Sequence, residues 1–135
     1  TSKPALANAV APCCRHATRA NLPTLELIET TMQKLNAQES STQLQRLPLW
    51  ALDPVAGAIS REYVLADFMQ AFAFMTQIAI AAEKHNHHPE WRNVYNRVHI
   101  TWTTHDANGL TQNDIAMAAV CDQAFAGYAA AAVAR

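Results

Sequence analysis

The chain is poor in the residues that build flexible, fibrous or cross-linked proteins. Three glycines in 135 residues exclude a collagen-like or linker-rich chain. The three cysteines are Cys13, Cys14 and Cys121. An odd count with two adjacent is no disulfide framework and points to a reducing compartment. Only 16% of residues are charged, and ten Lys+Arg nearly cancel eleven Asp+Glu, leaving a net charge of -1. A strong electrostatic grip on nucleic acid or on an anionic membrane is not expected. Long hydrophobic runs are also missing. Phe68 to Ala82 is too short to span a bilayer and contains Gln70 and Gln77. The Ala-rich tail from Ile115 to Ala134 is broken by Asp122 and Gln123. A soluble protein is expected. What the chain does have is 50% hydrophobic residues, enough for one domain with a single core and too many for a disordered tail.

Residues 1–24 carry Lys3, Arg15 and Arg19 and no acid; the first acid is Glu26. That composition suits an organelle transit segment, but a plain N-terminal extension is the favoured reading. The corresponding expectations are a cytoplasmic protein and, as the alternative, a mitochondrial one.

Periodicity predicts a first helix over 25–35, with Leu25, Ile28, Met32 and Leu35 at helical spacing. A second helix begins near Asn36, where Asn36 and Glu39 form a capping box, and ends at Pro48. Trp50 to Leu52 reads as a strand, Asp53-Pro54 to Gly57 as a turn, and Ala58 to Leu65 as the returning strand. On it Ile59, Arg61 and Tyr63 share one face. Ala66 to His85 is the strongest helix, free of Gly and Pro. One stripe is Phe68, Phe72, Met75, Ala79 and Ala82; beside it runs Ala71, Phe74, Ile78 and Ala81. Two stripes imply two packing surfaces, the domain's own sheet and another subunit; a single core covering both is the alternative. Pro89 disfavours helical geometry at His88. Trp91 to Tyr95 and Val98 to Thr104 read as strands joined by an Asn96-Arg97 turn. The last helix starts at Thr111, with Asp114 at its third position, and runs to about Ala132. The fold class is α+β: an antiparallel sheet of two hairpins covered on one face by helices, an α-β-β-α-β-β-α core with an extra N-terminal helical segment.

The chemistry gathers at element ends. Four of the six histidines lie between His85 and His99, and a fifth is His105. Imidazole titrates near neutral pH and can both give and take protons. Solvated or capping histidines, and metal binding, are the competing readings. No HExxH, CxxC pair, GxGxxG or GxxxxGK[ST] is present to support a metal or nucleotide site.

Ala82-Glu83-Lys84-His85-Asn86-His87-His88-Pro89-Glu90-Trp91, Asn93 to Val98, Thr103-Thr104-His105-Asp106, and Gly109-Leu110-Thr111 with Asp114 closely resemble the pterin-4a-carbinolamine dehydratase family. Trp50, Ile59 to Tyr63, Phe68, Ala71 and Phe74 fit it too. The resemblance covers roughly residues 35–125. It implies an N-terminal extension over 1–34 and a dehydratase-like domain over 35–135. It implies conversion of 4a-hydroxytetrahydropterin to quinonoid dihydropterin plus water, in tetrahydrobiopterin recycling, without metal or organic cofactor. The catalytic residues it implies are His87, His88 and His105. The pterin-binding residues are Asn86, His87, His88, Thr103, Thr104, His105 and Asp106. The family often has Asp at position 86; Asn cannot act as a base and is assigned binding only.

Loss of water from C4a needs a proton on the departing hydroxyl and removal of the N5 proton, tasks for one protonated and one neutral histidine. Glu83 or Asp114 could orient a ring by accepting its second N–H. The resemblance also implies homodimers or homotetramers, the latter formed through the long helix. Two rival readings stand beside it: a non-catalytic dimerisation partner of a transcription factor, and a zinc site on His87, His88 and His105.

Overall fold

The computed structural model describes residues 32–133. Helix α1 spans Ala37–Leu44, β1 Ala51–Asp53, β2 Ala58–Val64, α2 Phe68–His85, β3 Glu90–Val94, β4 Arg97–Trp102 and α3 Gln112–Val133. A 3₁₀ turn covers His105–Ala107. The expected first helix over 25–35 falls mostly outside the described residues. Residues 34–36 are not helical; there the Leu35 N–H donates to the Leu110 carbonyl at 2.7 Å, tying the chain to the loop before α3.

The capping box at Asn36 is formed in both directions, with Glu39 N–H on the Asn36 side chain and the Glu39 carboxylate on the Asn36 N–H. Asp67 caps α2 by accepting the Gln70 N–H at 2.8 Å, so α2 begins two residues later than its apolar pattern.

The sheet is antiparallel throughout, in the order β1-β2-β4-β3. Each hairpin contributes an edge strand and a central strand. Ile59 and Tyr63 of β2 and Val98, Ile100 and Trp102 of β4 lie on one face and are buried. Ala71, Phe74, Ile78 and Ala82 of α2 and Ile115, Met117, Ala118 and Cys121 of α3 complete the same core. Phe74 packs edge-on against Phe125 and Tyr128 of α3, with ring centroids 6.2 and 6.1 Å apart. On the opposite sheet face Glu62, Val64 and Arg97 are exposed and His99 and Thr101 half-buried, so among the described residues the helices cover one face only.

The two stripes of α2 separate only in part, because Met75 of the Phe68 stripe also packs against the core. Ala71, Phe74 and Ile78 are core, and Ala82 joins them rather than the Phe68 stripe. Phe68, Met69, Phe72 and Ile80 are exposed. The β3–β4 turn is one residue earlier than expected. Val94 pairs with Arg97, the turn is Tyr95-Asn96, and the positive φ of 49° falls on Tyr95. Asn96 is held instead by tertiary bonds: its Nδ2 donates to the Leu65 carbonyl and its carbonyl accepts the Leu65 N–H, both at 2.8 Å.

Candidate active site

Three chain reversals bring the histidine segments together. At the end of α2, Asn86 adopts left-handed geometry, φ 48° and ψ 42°. The His87 N–H then reaches back to the Ala82 carbonyl at 3.0 Å, which closes the helix as a Schellman motif. Asn tolerates this conformation better than most residues. The chain turns, Pro89 keeps His88 extended, and β3 starts at Glu90. After β4, the segment 104–109 closes on itself through the Thr104–Gly109 bridge and presents His105 on the 3₁₀ turn. Gly57 braces that loop from the β1–β2 turn. A Cβ there would sit 2.7 Å from the Gly109 Cα, so the two backbones meet where no larger residue fits. Thr103 Oγ1 donates to the Gly57 carbonyl at 2.8 Å.

His87 is the most constrained of the three rings. Its Nε2 lies 2.6 Å from Asp114 Oδ1, and the ring stacks on Trp102 with centroids 5.3 Å apart and planes 20° apart. Asp114 is fully buried. Its Oδ2 accepts the Thr111 N–H and the Thr104 hydroxyl, each at 2.8 Å, and Thr111 Oγ1 lies 2.9 Å from Thr104 Oγ1. A buried carboxylate is tolerable only when paired and hydrogen-bonded. Here both oxygens are satisfied, Oδ1 by the His87 ring and Oδ2 by Thr111 and Thr104. Asp114 reaches back from the first turn of α3, while the Thr111 hydroxyl goes to Thr104 instead of capping the helix.

His88 is exposed, its Nε2 2.9 Å from Glu83 Oε2 across the last turn of α2. His105 is more exposed still, its Nε2 2.8 Å from Glu90 Oε1. All three rings thus turn Nε2 to a carboxylate. His105 and Glu90 border a cleft of about 270 Å³, also lined by Asp53, Ser60, Thr101 and Thr103. Asn86 and Asp106 are exposed at the same junction. Thr104, in contrast, is buried and its hydroxyl is spent on Asp114 and Thr111. Among the described residues, no three His, Cys, Asp or Glu side chains are grouped to hold a metal ion.

Sequence reasoning did not single out Glu90, Trp102 or the Thr104–Thr111 link. Glu90 was visible only as the residue after Pro89. Its approach to His105 depends on β3–β4 register, which pairs Glu90 with Thr101. The stacking of Trp102 on His87 joins residues fifteen positions apart, and no local pattern announces it.

The domain is α+β, and its histidine–carboxylate pairs gather where a long helix, a hairpin and a closing helix converge. The sequence profile of the pterin 4 alpha carbinolamine dehydratase family matches residues 33–124, and the chain belongs to that family. A protein of Burkholderia lata provisionally named pterin-4-alpha-carbinolamine dehydratase is 54% identical over 93 residues, covering 69% of this chain and 91% of its own. One from Burkholderia ambifaria, named likewise, is 55% identical over 91 residues, covering 67% and 89%. A solved structure from Brucella melitensis, described as a transcriptional coactivator/pterin dehydratase, superposes with a TM-score of 0.66 at 42% identity. It covers 68% of this chain and 98% of that one.

Proposed function

We propose that this protein is a hydro-lyase, a 4a-hydroxytetrahydrobiopterin dehydratase. It converts 4a-hydroxytetrahydropterin to quinonoid dihydropterin plus water, in tetrahydrobiopterin recycling, by histidine acid/base catalysis. The observation that carries this is the His87–Asp114 pair, a ring locked on a fully buried carboxylate at 2.6 Å. The pterin binds against Asn86-His87-His88 and Thr103 to Asp106, in the domain formed by residues 35–135. With Nε2–H donated to Asp114, the lone pair of neutral His87 sits on Nδ1 and takes the N5 proton. His105 protonates the departing C4a hydroxyl. The C4a–O bond breaks, C4a and N5 form the new double bond, and water leaves. His88, held by Glu83, contributes to substrate binding; Thr104 acts through Asp114. No metal enters the scheme.

The exposed stripe of α2, with Phe72 60% and Ile80 66% accessible, forms the homo-oligomer contact. Large exposed apolar patches on soluble proteins usually mark interaction sites. The test is dehydration of synthetic carbinolamine by the native protein and by His87→Ala, His88→Ala and His105→Ala, with and without a chelator. A proton-transfer residue contributes about 10²- to 10⁴-fold. Folded variants that all keep native turnover contradict the assignment; loss of activity on chelation, restored by zinc, supports the metal site instead.

A further inference from the structure

We infer that Glu90 is the positioning residue for His105, as Asp114 is for His87; this rests on the reading above that His105 is the proton donor. The two pairs share one geometry, ring Nε2 on a carboxylate oxygen at 2.8 and 2.6 Å. Their surroundings differ. Asp114 has no accessible surface, whereas the Glu90 and His105 side chains are 62% and 80% exposed. An ion pair that open to water is weak. Its backbone anchors are nonetheless fixed. Glu90 is the first residue of β3, in register with Thr101, and His105 sits in the loop closed by the Thr104–Gly109 bridge.

Both side chains border the same cleft as Ser60, Thr101 and Thr103. The other charged groups nearby are accounted for. Asp53, on the same cleft, accepts the Val55 and Ala56 N–H groups at 3.0 and 2.9 Å. Asp106 is the next residue in the chain, and Lys34 packs over Gly109. Glu90 alone among them bonds the His105 ring.

A planar substrate entering this cleft displaces water from the pair. The local dielectric falls, and the attraction between Glu90 and a protonated His105 rises several-fold. The carboxylate then keeps the Nε2 proton in place and favours the charged ring, so Nδ1–H faces the departing hydroxyl. The proton passes from His105 Nδ1 to the hydroxyl oxygen as the C4a–O bond breaks, and the ring is left neutral with Nε2–H on Glu90.

The experiment is steady-state kinetics across pH for Glu90→Ala and Glu90→Gln beside His105→Ala. Glu62→Gln, which alters an exposed pair with Arg97 on the same sheet face, is the control. Glu90→Ala is expected to lower kcat about tenfold to a hundredfold, with KM less affected. The alkaline limb of its kcat profile should move to lower pH, because His105 loses its proton more readily without the carboxylate. Glu90→Gln, which retains an acceptor but no charge, should shift the limb similarly and keep more of kcat. Native kcat and an unmoved limb in Glu90→Ala, with His105→Ala slow, would overturn the inference. Native turnover in His105→Ala would instead overturn the reading on which it rests.

Discussion

At the scale of single residues, Asp114 decides most. Its replacement by Ala strands the Thr111 N–H, the Thr104 hydroxyl and the His87 ring in a buried site. Each unsatisfied buried group costs about 1–3 kcal/mol, so the expected loss is at least ~2 kcal/mol, read from the urea midpoint. Asp114→Asn keeps the shape but can bring an N–H against the His87 ring. It should fold with a smaller loss and still turn over slowly; native turnover in Asp114→Asn would mean that the carboxylate does not govern His87.

Cys121 makes a separate prediction. Burial raises its thiol from an ordinary value of 9.0 to about 12. Burial, together with its bond to Asp122, raises the Tyr63 phenol as well. For a group whose folded pKa is raised, the stabilisation is complete below the unfolded pKa and is lost as pH rises towards the folded one. Stability should therefore hold up to about pH 9 and decline between 9 and 12. Cys121→Ala should flatten part of that decline, measured as urea midpoint against pH. An equal decline in both proteins would mean that the thiol plays no part.

At the scale of elements, one carboxylate joins α3 to β2 and to the segment before β1. Asp122 of α3 accepts Trp50 Nε1 at 3.0 Å, Arg61 at 2.6 Å and the Tyr63 hydroxyl at 2.5 Å. The Arg61 guanidinium also lies 4.4 Å above the Tyr63 ring centroid. Asp122→Ala removes the shared acceptor of β2 and the segment before β1. The expected cost is about 3 kcal/mol, the lower end for a buried pair broken on one side and reduced by the partial exposure of Asp122. Thermal unfolding should show it as a lower midpoint, with the candidate site still formed below that midpoint.

These elements were largely legible in the sequence because their signals are local. The alternation Ile59-Arg61-Tyr63, the capping box at Asn36 and the stop at Pro89 each depend on a few neighbouring residues. The hairpin turn slipped by one because Asn96, the better residue for positive φ, is recruited by Leu65 thirty-one positions away. Within the site, the histidines and Asp114 were legible from type and spacing joined to family resemblance. The pairing of Glu90 with His105 was not, because strand register brings together residues fifteen positions apart.

At the scale of the whole molecule, the exposed ridge of α2 is the feature that one copy does not explain. Phe68 and Phe72 lie side by side with their rings tilted by 42° and centroids 6.0 Å apart, and Met69 and Ile80 extend the apolar surface. Phe74, by contrast, has no accessible surface. Phe72→Glu should dissociate the proposed oligomer without unfolding the protomer, because it would bury an unpaired carboxylate only at the proposed contact. Phe74→Glu should unfold it. Light scattering at micromolar concentration, with circular dichroism as the check on folding, separates the two. A monomeric mass for the native protein contradicts an oligomer on this face. Among the described residues no helix is long and apolar enough to cross a membrane, so a bilayer-spanning helix does not explain the ridge.

The most direct test of the central claim is turnover of synthetic 4a-hydroxytetrahydropterin by chelator-treated native protein and by folded His87→Ala. The chelated native protein should accelerate loss of water undiminished, and His87→Ala should be slower by about 10²- to 10⁴-fold. Native turnover in His87→Ala, or no acceleration by the native protein, would contradict it.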